Sequence, residues 1–273
     1  MKASDLIELK AVERRYETGL LALQGVNLRL ARGEFVSLLG PSGCGKSSVL
    51  RLLAGLDQPS AGAVLREGAP AKGPVRDTSF VFQEPTLMPW ADVLSNVELP
   101  LRLANMAAEP RAQAAQAALA RVGLGDFARA MPRELSGGMK MRASIARALV
   151  TQPALLLLDE PFAALDEITR FALNQALRAL WCPAGGQPAF TGVFVTHSVY
   201  EAVFLSQRVL VMSARPGRII EEVLIDGPLQ RDASFRESPV FAAACARLSA
   251  ALVRAAEGPD SAGPDHHREA QLG

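Results

Sequence analysis

The chain has 273 residues, 49% of them hydrophobic, enough for one large domain or two modest ones with a buried core. Lys and Arg number 29 against 28 Asp and Glu, so the net charge of +1 draws the protein toward neither nucleic acid nor an anionic membrane, and any partner must be met by a local surface. No run approaches the roughly 18 consecutive apolar residues of a membrane span, the charged start MKASDLIELKAVERRY argues against export, and the scattered Cys44, Cys182 and Cys245 fit a reducing cytoplasm better than a metal or disulfide framework.

Residues 6–39 alternate short apolar runs with the turn signals YETG and ARGE and are expected to form several strands. A helix follows the stretch Gly40 to Ser48, with Val49, Leu50, Leu52 and Leu53 on its apolar face and Gly55 as a C-terminal glycine cap. TSFVF (Thr78 to Phe82) is a strand candidate, and two prolines interrupt regular structure between Pro85 and Trp90. From about Val93 to Val150 the spacing is helical, whereas the run Leu155 to Leu158 suits a strand buried on both faces. Gly192 to Thr196 predicts another strand, and Ser198 with Glu201 predicts a capping box for the next helix. VLVMS and RIIEEV then flank Pro216 and Gly217, residues that suit a type II turn joining a pair at the sheet edge. Residues 237–256 have helical character, and the tail from Gly258, with His266 and His267, is polar and expected to be disordered. Strands alternating with helices point to a parallel α/β core carrying an inserted helical block.

GPSGCGKSS matches the phosphate-loop pattern at Gly40, Gly45, Lys46 and Ser47, in the strand-to-helix setting that pattern requires. The backbone of Gly40, Pro41, Ser42, Gly43, Cys44, Gly45, Lys46, Ser47 and Ser48 is available to curl around phosphate oxygens, with an amide N–H to donate at every position but Pro41. Lys46 would reach the β and γ phosphates and Ser47 would ligate Mg²⁺. Cys44 is either a thiol activated by the helix start and Lys46 or a small filler residue. LLLLDE ends its strand in two carboxylates. Asp159 suits a role in holding Mg²⁺, directly or one layer out, and Glu160 can polarise a water for attack on the γ phosphate. In LSGGM, Ser136 is an N-cap, and the amides of Ser136, Gly137 and Gly138 make a second anion site at a helix start.

GPSGCGKSS, the glutamine of FVFQEP (Gln83), LSGGM, LLLLDEP, AALD and FVTH, in this order, resemble the ATP-binding-cassette ATPases over roughly Leu6 to Val223. The resemblance implies a P-loop NTPase core with a mixed or parallel sheet, an antiparallel β subdomain and an inserted helical subdomain at about 92–153. Residues 1–226 would form the ATPase domain and 227–273 a short extension. It also implies that Tyr16 stacks on adenine, its alternative being core or rim; stacking of that kind is worth on the order of 1–3 kcal/mol. Gln83 would touch Mg²⁺ and the attacking water, and His197, otherwise an ordinary loop histidine, would contact the γ phosphate. Asp166 would cross a dimer interface. Two ATP molecules would lie between head-to-tail copies, with Ser136 and Gly138 acting on the partner's nucleotide.

DNA-maintenance cassettes carry a long coiled coil or zinc modules between the phosphate loop and LSGG, and exporters often fuse membrane spans; neither feature is present here. QEPTLMPW, ADVLSNVELPL and SARPGRI are similar to the importer subfamily for nitrate, alkanesulfonates and taurine. That likeness implies a homodimer on the cytoplasmic face of two permease subunits, served indirectly by a solute-binding protein and without nucleic acid. Leu87, Met88 and Trp90 would form an apolar groove for a permease helix, unless Trp90 only packs the two subdomains together. A free-standing cassette ATPase with a regulatory or remodelling role is the alternative. Met139 stands where the family most often has glutamine, which leaves the Ser136 and glycine donors intact.

Overall fold

The computed structural model describes residues 5–257 apart from Lys72 and Arg76; the expected disordered tail, with His266 and His267, lies outside the described residues. Strands β1 (Asp5–Arg15) and β2 (Leu21–Ala31) pair antiparallel, and β3 (Phe35–Leu39) leads through the glycine-rich loop into helix α1 (Lys46–Leu53). β4 (Ala61–Arg66) and β5 (Ala69–Pro70) complete a four-stranded antiparallel sheet of order β2-β1-β4-β5. β6 (Thr78–Val81) precedes three helices, α2 (Val93–Leu103), α3 (Ala108–Arg121) and α4 (Gly137–Leu149). The chain then alternates through β7 (Leu155–Asp159), α5 (Glu167–Trp181), β8 (Thr191–Thr196), α6 (Val199–Leu205), β9 (Arg208–Met212), β10 (Ile219–Leu224) and α7 (Pro239–Glu257). The second sheet has order β10-β9-β3-β8-β7-β6, parallel throughout except for the edge strand β10.

The period-2 geometry of the central strands divides the interior in two. Val36, Leu38, Leu155, Leu157, Val193 and Val195 face one core, shared with α1 and the antiparallel sheet. Phe35, Leu39, Leu156, Leu158 and Phe194 face the other, shared with the helices. Both faces are therefore dry, which is why LLLL reads as an uninterrupted apolar run. Each such side chain contributes about 1.5–3 kcal/mol by leaving water.

α1 ends as its sequence requires. Gly55, at φ 68°, closes a Schellman pair in which the Leu56 amide donates to Arg51 O and the Gly55 amide to Leu52 O, both near 3 Å.

Two local expectations are corrected. Ser198 does cap α6, accepting from the Glu201 amide at 3.3 Å, but Glu201 does not return the bond. Its carboxylate is buried and accepts instead from the Thr196 hydroxyl and the Asn174 amide, because the strand just before the cap offers a closer donor. The β9–β10 connection is not a type II turn either. Gly217 is not left-handed, and the Arg215–Pro216 peptide is cis. Glycine is needed there for proximity, since a Cβ would lie 2.0 Å from Cys44 O in the phosphate loop.

α7 is long and apolar enough, by length and composition, to cross a membrane. Here it packs Phe241, Cys245, Leu248, Ala251 and Ala255 onto the helical core, and Arg247 and Arg254 on its flank pair with Glu221. Two buried arginines fasten the segment leading to it. Arg178 donates to Leu205 O and Leu229 O, and Arg231 to Val203 O and Ser206 O at 2.7 and 2.8 Å, so both bind carbonyls at the C-terminal end of α6. Burial lowers their pKa values, to about 9 for Arg178 and about 10 for Arg231. The negative end of a helix dipole is the environment that keeps such cations charged.

Candidate nucleotide site

The parallel order of the sheet brings the C-terminal ends of β3, β7 and β8 side by side, the place where open α/β sheets collect ligands. β3 delivers the phosphate loop. Gly43 and Gly45 take φ 72° and 103°, the latter as N-cap of α1. Lys46 is 4% exposed and curls back so that Nζ donates to Gly40 O and Pro41 O, both at 2.9 Å. No carboxylate pairs with it among the described residues, so a buried ammonium and a helix N-terminus converge on one anion-favouring point.

β7 delivers the acids. Ser47 Oγ donates to Asp159 Oδ1 at 3.1 Å. Burial pushes the Asp159 carboxyl above its ordinary range; the Ser47 hydroxyl opposes this and neighbouring Glu160 adds to it. That Oγ–carboxylate pair is an oxygen donor set suited to Mg²⁺, and among the described residues no cluster of three or more His, Cys, Asp or Glu suggests a softer metal. Glu160 sits at φ 47°, a left-handed conformation uncommon outside glycine, with its amide donating to Val195 O at 3.1 Å. β8 delivers His197, whose Nε2 is 2.6 Å from Glu160 Oε1 and whose Nδ1 is 3.2 Å from Gly40 O. A carbonyl can only accept, so Nδ1 is the donor in the contact with Gly40 O.

Tyr16 lines the same cavity of about 220 Å³ as Lys46, Ser47, Ser48 and Glu160. Its hydroxyl is 2.8 Å from Ser48 Oγ, and the Arg14 guanidinium lies 4.6 Å from its ring centre. A groove of about 610 Å³ elsewhere, bounded by Glu8, Lys10, Arg29 and Glu222, is larger but carries ion pairs closed on themselves. Cys44 is 1% exposed, and burial raises its thiol pKa against the opposing influence of Lys46, so it fills space under the loop.

The remaining sequence-predicted residues are not brought to this cavity. Ser136 caps α4, its Oγ accepting from the Met139 amide at 3.3 Å, and Gly137 and Gly138 form the first turn. Ser136 and Gly137 are exposed, while Gly138 is buried against α5, where a Cβ would lie 2.7 Å from Thr169 Cγ2. Asp166 caps α5 and accepts from the Thr169 amide at 2.9 Å, which lowers its pKa. The LSGG and AALD segments are thus neighbours within one chain. Gln83 is exposed after β6 and makes no hydrogen bond among the described residues.

The loop at 85–91 is pinned by side-chain hydrogen bonds from both sides. Asn96, fully buried, accepts from the Met88 amide at 2.7 Å and donates to Met88 O, Ala91 O and Asp92 O. Arg147 donates to Pro85 O and Thr86 O. Trp90 is 78% exposed, so it does not pack the two subdomains together. Asn96 went unnoticed in sequence because its partners are backbone groups. Arg215, another cavity-lining residue, was visible only as a letter in SARPGRI.

A profile of the ABC transporter family matches residues 23–163. The taurine import ATP-binding protein of Yersinia pestis is 45% identical over 208 residues, 76% of this chain and 80% of that one. The aliphatic sulfonates import ATP-binding protein of Xanthomonas axonopodis is 43% identical over 238 residues, 86% of this chain and 92% of the relative. Among solved structures, a dimeric ATP-binding cassette in a post-hydrolysis state bound to ADP and Pi superposes with TM-score 0.70 and 36% identity, covering 81% of this chain and all of that one. A phosphate loop, an acid-terminated strand and a neighbouring histidine on one sheet, together with these likenesses, make the chain a member of the ABC transporter family, an ATP-binding ABC ATPase.

Proposed function

We propose that this chain energises import of a small solute of the nitrate, sulfonate or taurine kind, as a homodimer beneath two permease subunits on the cytoplasmic face of the membrane, with a solute-binding protein as an indirect partner. The observation that carries this reading is the 43–45% identity to two import ATP-binding proteins over three quarters or more of the chain. The exposed Trp90, on a loop pinned from both sides, supports it as an apolar contact ready for a permease helix. The proposed ATPase domain is 1–226, with the helical subdomain at about 92–153 and the extension at 227–273. Selection of the solute belongs to the permease and binding protein.

In the proposed mechanism the loop amides from Gly40 to Ser48, Pro41 excepted, bind the phosphate chain, and Lys46 leaves the carbonyls of Gly40 and Pro41 to meet the β and γ phosphates. Ser47, Asp159 and Gln83 would hold Mg²⁺, which when bound supplies charge neutralisation on the phosphates. Glu160 takes a proton from the attacking water, and His197 contacts the γ phosphate; both roles require their mutual hydrogen bond to be exchanged for contacts with substrate. Tyr16 stacks on adenine. Ser136, Gly137, Gly138 and Asp166 serve the partner's nucleotide, so hydrolysis depends on dimer closure.

Affinity-tagged protein purified from its native cells tests the reading. Recovery from the membrane fraction with integral-membrane subunits and ATP hydrolysis is expected. Recovery only from the soluble fraction, with no membrane subunit, would instead favour a free-standing cassette ATPase.

A further inference from the structure

The SARPGRI segment has no part in the mechanism above, yet it is pressed against the phosphate loop. Gly217 lies over Cys44 O, and its amide and carbonyl bond Ala22 O and the Gln24 amide at 2.9 and 3.1 Å. Arg215 aims two donors at a single loop oxygen, Nε at 3.1 Å and Nη2 at 2.8 Å from Gly43 O.

Arginines elsewhere on this face and at the far end of the sheet show the usual pairing with acids. Arg14, over the Tyr16 ring, is paired with Asp57 at 2.7 Å, and Arg208 with Glu34 at 2.7 Å. Arg215 has none among the described residues, and its Nη1 makes no hydrogen bond to them. It is exposed and lines the cavity shared with Tyr16, Lys46, Ser47 and Glu160. The acid of that cavity is engaged with His197, which leaves two cations, Lys46 and Arg215, without carboxylate partners. A polyanion with several charges in a row is the ligand that complements them. A guanidinium held by one edge keeps its other edge available for a charge-assisted bond to a phosphate oxygen.

We infer that Arg215 is a second cationic contact for the phosphate chain of the nucleotide, beside Lys46. The inference rests on reading the Gly40–Ser48 loop as the ATP site.

Calorimetric titration of ATP, ADP and adenosine into the wild type and the Arg215→Ala, Arg215→Gln, Arg215→Lys and Lys46→Ala variants tests it. A charge-assisted bond at an exposed position falls at the low end of such interactions, so Arg215→Ala and Arg215→Gln should each weaken ATP and ADP about 10-fold. Adenosine should stay within about twofold, lysine should recover most of the loss, and the salt dependence of ATP binding should become shallower. Wild-type ATP affinity in Arg215→Ala overturns the inference. So does wild-type affinity in Arg215→Gln, which would reduce the arm to a prop for Gly43, or an equal loss for adenosine, which would trace the effect to loop shape. Lys46→Ala separates the two levels. If it binds ATP normally, the reading of the loop fails; if it loses ATP while Arg215→Ala does not, only the Arg215 inference fails.

Discussion

Glu160 Oε1 lies 2.6 Å from His197 Nε2, while the other ring nitrogen of His197 is 3.2 Å from a phosphate-loop carbonyl, Gly40 O. The residue proposed as base is therefore occupied by the residue proposed to sense the γ phosphate, and both are tied to the loop that binds it. Glu160→Gln should retain ATP affinity and slow hydrolysis about 10²- to 10⁴-fold, the usual range for removal of a general base. Single-turnover hydrolysis measures this, and an unchanged rate removes Glu160 from that role.

Asp159 supplies a test in pH. Burial first, and Glu160 as a neighbour, favour its neutral form, with Ser47 opposing. A carboxyl whose folded pKa exceeds its unfolded value holds a proton that the unfolded chain has released. Stability of the nucleotide-free protein thus falls as pH rises through that interval and stays lower above it. Asp159→Asn should raise Tm at pH 7 by about 2 °C or more, and the gain should fade toward the ordinary aspartate value near pH 3.9. The same variant should lose magnesium-dependent ATP affinity. A Tm gain identical at both pH values contradicts the account.

All three cysteines are buried, and for Cys44 and Cys245 burial also raises the pKa, to about 11 for Cys245. Native protein should react with a thiol reagent at least about 10-fold more slowly than unfolded protein, because the thiolate is the reactive form. Rapid native labelling of Cys44 would mean that the phosphate loop opens far enough to expose it.

Trp90 and Asn96 should separate docking from folding. Trp90→Ala removes an exposed ring and should change stability by no more than about 0.5 kcal/mol while sharply reducing recovery with membranes. Asn96→Ala leaves the Met88 amide and Ala91 O without their partner, while Met88 O and Asp92 O keep the backbone amides of Ala91 and Asn96, and should cost about 2–3 kcal/mol. A large stability loss in Trp90→Ala, or unaltered membrane recovery, contradicts a docking role.

What could be read from sequence were features whose cause is local. The phosphate loop, the run Leu155 to Leu158, Gly55 and the Ser136 cap each depend on a few consecutive residues, and each takes the predicted local form. Features that depend on distant segments were misread or missed. Glu201 turned from the capping box to Thr196 and Asn174, and Gly217 owes its identity to Cys44, 173 positions away, rather than to its own turn. Arg215 and Asn96 act through backbone carbonyls and amides, which no residue pattern records. The fate of α7 was hidden for the same reason, since it lies against α6, β9 and β10, with Phe241 packed on Tyr200 of α6.

The central claim is that Ser136 and Gly138 act on a nucleotide held by another copy, and neither residue lines the cavity around their own chain's Lys46. A crystal structure of Glu160→Gln with ATP and magnesium tests it most directly. Each γ phosphate should contact Lys46 of one subunit and Ser136 of the other. A single subunit whose own Ser136 closes over its own nucleotide would contradict the account.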